Sequence, residues 1–247
     1  DSTIANNNAD DSAGLINDGG TLTMLGSTLS GNTAISAGGM RNTNNGIADL
    51  VNSTISGNSA NGGASGLANG VGGNVRLLNV TVAFNTADAD ANGSGDGGGL
   101  SNSAILFARN SLIGENIDGS GSGSIVPDCS GALLTDGNTL VENVSGCTVS
   151  GNLDGNIIGL DPGLAGLANN GGPTLTHAFA SGAPPHNAGN ANNCVGSTGV
   201  VLPTDQRGTA REQPTRCDIG AFELDNTIPT VISVTRLDPS PTAATSV

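Results

Sequence analysis

The chain has 247 residues, with 21 acidic side chains against seven basic ones, all arginine, for a formal net charge of −14. That balance excludes nucleic acid and anionic membrane surfaces as partners. The aromatic content (four Phe, no Trp or Tyr) removes the ring platforms on which sugars and bases stack. No run approaches the ~18 apolar residues of a membrane-spanning helix, so no membrane insertion is expected within this chain. Forty glycines suit a fold made almost wholly of turns and short strands.

The first elements in chain order recur. Ser2-Thr3-Ile4-Ala5, Ser27-Thr28-Leu29-Ser30, Ser53-Thr54-Ile55-Ser56, Val80-Thr81-Val82-Ala83 and Ser111-Leu112-Ile113-Gly114 each precede an asparagine, at 7, 32, 58, 85 and 116. The steps are 25, 26, 27 and 31 residues, which is the signature of a solenoid. Residue 1 falls at the start of a repeat and no signal peptide opens the chain, so the numbering is expected to begin inside a longer precursor.

A second block in each repeat places an apolar residue two positions before an asparagine: Leu15 and Asn17, Met40 and Asn42, Leu67 and Asn69, Leu100 and Asn102. A third block alternates, with Leu22 and Met24, Ala48 and Leu50, Val75 and Leu77, Leu106 and Ala108 as its apolar positions. Period-two alternation is a strand signal. Three short strands in about 26 residues leave no room for crossover helices, so the sequence predicts an all-β, parallel β-helix, right-handed by the rule for parallel crossovers. Asn17, Asn42, Asn69 and Asn102 share one parity and predict an inward amide ladder that satisfies its own buried groups. Asp49 should face Arg76 one coil on.

Within the fourth repeat, Asp88, Asp90, Asn92, Ser94 and Asp96 follow the D-x-D-x-N-G spacing of calcium loops. Position 12 is Gly99 and lacks the usual glutamate, so Ca²⁺ is a candidate cofactor on an incomplete motif. Asp10 and Asp11, with Arg41, are the one set that could serve acid–base chemistry on a polysaccharide, as in lyases built on β-helices. The arginines at 41, 76 and 109 fall in different blocks, which makes the enzymatic reading weak.

After Asn116 the repeats loosen, and residues 117–225 read as further coils and a cap closing the solenoid. Four cysteines, Cys129, Cys147, Cys194 and Cys217, predict two disulfides and an oxidising compartment. Of three connectivities the sequential one, 129 with 147 and 194 with 217, is expected. His177 and His186 have no metal-ligand neighbours at helical or i+2 spacing and read as satisfied structural groups. Asp205, Arg207, Arg211, Asp218 and Glu223 read as a salt-bridged clasp. Residues 226–247 form a linker and a β-prone run, Thr230, Val231, Ile232, Ser233 and Val234, similar to the first strand of an immunoglobulin-like domain and suited to pairing with another subunit.

Asp205-Gln206-Arg207-Gly208 and Cys217-Asp218-Ile219-Gly220-Ala221-Phe222-Glu223 resemble the terminus of the choice-of-anchor Q domain, a family of bacterial surface proteins with right-handed β-helix repeats. Pro127-Asp128-Cys129-Ser130-Gly131, Asp161-Pro162-Gly163-Leu164 and Asn169-Asn170-Gly171-Gly172-Pro173-Thr174 match the same pattern, and the upstream repeats extend the resemblance over about residues 1–225. Ala183-Pro184-Pro185-His186-Asn187-Ala188-Gly189 departs from it. The resemblance implies export to the bacterial surface and brings no enzymatic activity. The expectation is therefore an extracellular structural module that self-associates or binds other surface or matrix proteins. An adhesin and a polysaccharide lyase or hydrolase are the alternatives.

Overall fold

The computed structural model describes residues 1–121, 125–190, 194–195, 199–211 and 216–225. The run from Thr230 to Val234 lies outside the described residues. Among them the fold is all-β, a parallel β-helix of about five turns. Every strand-to-strand pairing between coils is parallel, and each coil places a strand beside its equivalent one repeat later.

Each coil carries four strands rather than the three that the alternation suggests. One seven-stranded sheet stacks Thr3–Ala5, Thr28–Ser30, Thr54–Ser56, Thr81–Ala83, Leu112–Gly114, Leu140–Val141 and Ile157–Ile158. A five-stranded sheet stacks the two-residue strands Asn8–Ala9, Thr33–Ala34, Ser59–Ala60, Thr86–Ala87 and Ile117–Asp118. These strands are too short to show a period, which is why the sequence hides them. The third sheet holds two ladders, one ending at Leu100–Asn102 and the other at Ile105–Arg109. They merge because the eight-residue strand Cys129–Asp136 pairs with both.

Registers follow the apolar columns. Leu15, Met40, Leu67, Leu100 and Cys129 are cross-strand partners in turn, as are Leu22, Ala48, Val75 and Leu106. These columns, with Leu29, Ile55, Val82 and Ile113 from the seven-stranded sheet, form one continuous core. At ~25 cal/mol per Å² of apolar surface removed from water, this column is the main source of stability.

Bends are set by left-handed residues at fixed places. Two positions before a strand of the seven-stranded sheet stands Gly26, Asn52, Asn79 or Asn110, all with positive φ. The residue after it is Asn6, Gly31, Gly57, Phe84 or Glu115, also positive. Glycine and asparagine tolerate this region. Phe84, at φ 57°, is a bulky residue held where two coils use glycine.

The described residues between 161 and 225 do not lie across the end of the solenoid. They run back along its side, over the outer face of the seven-stranded sheet. Thr28 Oγ1 donates to the Leu175 carbonyl at 2.7 Å, and Thr54 Oγ1 donates to Gln206 Oε1 at 2.7 Å. The Ala221 N–H donates to Thr81 Oγ1 at 3.0 Å, and Asn110 Nδ2 donates to the Asp218 carbonyl at 2.9 Å. The cover therefore buries Thr28–Ser30, Thr54–Ser56, Thr81–Ala83 and Leu112–Gly114 on both faces. It has its own antiparallel bridges, Leu164 with Phe179 and Ala168 with Thr176. Cys129 bonds Cys147 between neighbouring coils, and Cys194 bonds Cys217 within the cover.

Candidate functional site

Two asparagine ladders run through the coils. In the first, Asn17 Nδ2 donates to Asn42 Oδ1 at 2.7 Å, Asn42 to Asn69 at 2.9 Å and Asn69 to Asn102 at 2.8 Å. Asn102 Nδ2 ends that row on the Ala132 carbonyl at 2.6 Å. The second ladder is built by the repeat-marking asparagines themselves, a role that the sequence reading did not assign them. Asn7, Asn32, Asn58, Asn85 and Asn116 each donate Nδ2 to the next Oδ1 at 2.8–2.9 Å. Asn116 donates to Asp128 Oδ1 at 2.9 Å. All amides point one way, so the row needs an acceptor at its end, and a carboxylate supplies it. Burial pushes the Asp128 carboxyl up to about 6, against the hydrogen bonds from Asn116 and the Asn143 N–H.

In the loop read as a calcium site, Asp88 is fully buried. Its carboxylate accepts from the N–H groups of Asn92 (2.9 Å) and Gly93 (2.8 Å) and from the Ser120 hydroxyl (2.8 Å). Burial raises the Asp88 pKa, but these hydrogen bonds outweigh it and leave the value below the ordinary one. Asn92 Nδ2 donates to Asp90 Oδ2 at 2.9 Å, and the Ser94 N–H donates to Asn92 Oδ1 at 2.9 Å. The loop's oxygens thus face its own donors, and among the described residues no three His, Cys, Asp or Glu gather as a metal cage.

Arg41 Nη1 reaches both oxygens of Asp11 at 2.8 and 2.9 Å, an exposed ion pair. Of the set Asp10, Asp11 and Arg41, this contact joins Arg41 to Asp11. The pairing neutralises the arginine with the carboxylate it would have to assist. Arg76 Nε donates to Asp49 Oδ1 at 2.6 Å, and Arg109 pairs with Asp136 in the same manner one step on.

The clasp residues gather in the cover. Arg207 bonds Asp205 at 2.8 Å and lies over the Phe222 ring at 3.8 Å. Arg211 is buried and reaches Glu223 Oε2 (3.1 Å), Asn52 Oδ1 (3.0 Å) and the Gly220 carbonyl (2.8 Å). Burial and the neighbouring Asp218 raise the Glu223 carboxyl to about 7, against the pull of Arg211. Asp218 accepts from the Asn187 and Leu224 N–H groups at 2.6 Å each. His186 receives the Gly182 N–H on Nδ1 at 3.1 Å.

The last coil is bare. Cys147–Asn152 pairs only with Cys129–Asp136, and Ile157–Ile158 only with Leu140–Val141, among the described residues. Val144, Val149, Leu153 and Ile158 line an apolar hollow of about 370 Å³ there, with Leu153 56% and Ile158 44% exposed.

A larger groove of about 550 Å³ lies between the cover and the seven-stranded sheet. On its wall Ser56 Oγ is 2.8 Å from His177 Nε2, and His177 Nδ1 is 2.7 Å from the Ala165 carbonyl. The Phe84 ring lies against the imidazole, with centroids 4.9 Å apart. Burial lowers the His177 pKa against the bond to Ala165. Sequence reasoning placed His177 in the cap as a satisfied group, and no signal joined it to Ser56.

Comparison with family models, with curated proteins and with solved structures returned no match.

Proposed function

We propose that this chain is a rigid structural module of an extracellular surface or matrix protein, assembling through the open end of its β-helix. The observation that carries this reading is the bare last coil. The cover runs along the side of the solenoid and, among the described residues, leaves two unpaired strand edges around an apolar hollow. Unpaired edges next to apolar surface are templates for another strand. The occupant is a second copy of this chain, through its β-prone residues Thr230 to Val234. The two disulfides fit an oxidising compartment. The resemblance of the Asp205–Glu223 region to the choice-of-anchor Q terminus supports a bacterial surface.

Sedimentation velocity tests the reading. The chain should form assemblies larger than a monomer. Leu153→Asp, and separately deletion of residues 226–247, should each return it to a monomer. A wild-type chain that stays monomeric at high micromolar concentration overturns it. Calcium enters only through the Asp88–Asp96 loop, and assemblies unchanged by a chelator would remove the ion from the proposal.

A further inference from the structure

We propose that Ser56 and His177 form an acyl-transfer site that takes a small, uncharged, apolar ester in the groove beneath the cover. The argument begins with tautomers. A carbonyl can only accept, so the 2.7 Å contact to Ala165 fixes the proton on His177 Nδ1. Nε2 is then bare, and at 2.8 Å it accepts the Ser56 hydroxyl proton. This is the relation of nucleophile, base and orienting group that covalent catalysis requires, with a main-chain carbonyl as the third member. Burial lowers the His177 pKa and so favours the neutral imidazole, the form that acts as a base.

Three further features belong to the same place. Phe84 is held in the left-handed region, at a position where the two coils before it use Gly31 and Gly57 and the first and fifth coils use Asn6 and Glu115, and its ring lies against His177. Strain of this kind gathers at working sites. No charged side chain lines the groove, whose apolar wall is Ala5, Phe84, Leu167 and Leu175. On the same wall, the N–H groups of Gly166 and Leu167 donate to no acceptor among the described residues. Ser56 is 1% and His177 2% exposed, so only a short, narrow acyl group reaches the hydroxyl.

The chemistry balances without a cofactor. Ser56 Oγ bonds the acyl carbon while its proton passes to Nε2. The ester C–O bond breaks and the departing alkoxide takes that proton. Water then attacks the acyl-serine, gives a proton to Nε2 and releases the acid, restoring Ser56.

A serine that merely pins the cover to the coil would be unreactive, and this separates the two roles. The probe is 4-nitrophenyl acetate, with peptide mass spectrometry to locate acetyl groups. Folded protein at pH 8 should carry acetyl on Ser56, and protein unfolded in urea should not. Acetylation should fall off on the acid side of the ordinary histidine value of 6.5, because the base is lost as pH drops through its lowered pKa. Ser56→Ala should abolish ester turnover. This substitution suits the fold, because the register partner of Ser56 in the next coil is Ala83. No acetyl on Ser56, equal labelling of unfolded chain, or turnover unchanged by Ser56→Ala would each overturn the proposal.

Discussion

Asn85 shows how much one side chain carries in a solenoid. Its Oδ1 accepts both the backbone N–H and the Nδ2 of Asn58, at 3.0 and 2.9 Å, while its Nδ2 serves Asn116. Asn85→Ala strands the buried Asn58 N–H and removes one partner each from Asn58 Nδ2 and Asn116 Oδ1, which keep the Leu29 carbonyl and the residue 85 N–H. The expected loss is about 3 kcal/mol in urea unfolding. Asn7→Ala, at the exposed start of the same row, should cost less than ~1 kcal/mol. Equal losses would show that the row does not act as a buried network. Asp128 sets a pH dependence with a definite sign. Its folded pKa, about 6, exceeds the ordinary 3.8, so its contribution is present below about 4 and lost as pH rises through 6. The change amounts to about 3 kcal/mol. Glu223, raised to about 7, acts in the same direction over a higher window. His177 opposes both, because its lowered pKa costs stability as pH falls below 6.5. Urea midpoints at pH 4.5 and 7 should differ less in Asp128→Asn than in wild type, and an unchanged difference would remove Asp128 from the account.

At the scale of elements, the coils were legible because two periods coincide. Apolar residues alternate along each strand, and equivalent residues return after about 26 positions, so Leu22, Ala48, Val75 and Leu106 could be aligned by eye. The two-residue strands after each ladder asparagine carry no period and were missed. The cover's path was hidden for a different reason. Its ties to the coils, such as Thr54 to Gln206, join residues 152 positions apart, and no local pattern encodes such a pairing. The Ser56–His177 pair, 121 positions apart, was invisible for the same reason. The cover owes its order to those scattered bonds and to the Cys194–Cys217 bond, which spans 23 residues. Replacing both cysteines with alanine should cost about 3 kcal/mol. Hydrogen exchange should rise across residues 161–225 while Thr54–Ser56 and Thr81–Ala83 keep their protection. A uniform rise through the coils would instead make the two parts one cooperative unit.

For the whole molecule, a net charge of −14 means that copies repel one another at long range. Salt screens that repulsion, so the assemblies sought by sedimentation should grow as ionic strength rises from about 0.01 to 0.15 M. Apolar contact at the last coil would be untouched by the same change. The lateral cover has one more consequence, which concerns force. A bare solenoid pulled at one end can peel coil by coil, each step breaking a few short ladders. Here one strap is bonded to Thr28, Thr54, Thr81 and Asn110, residues of four successive coils. Tension along the axis must shear those anchors together, which makes the covered stretch a stiff link that yields as a block.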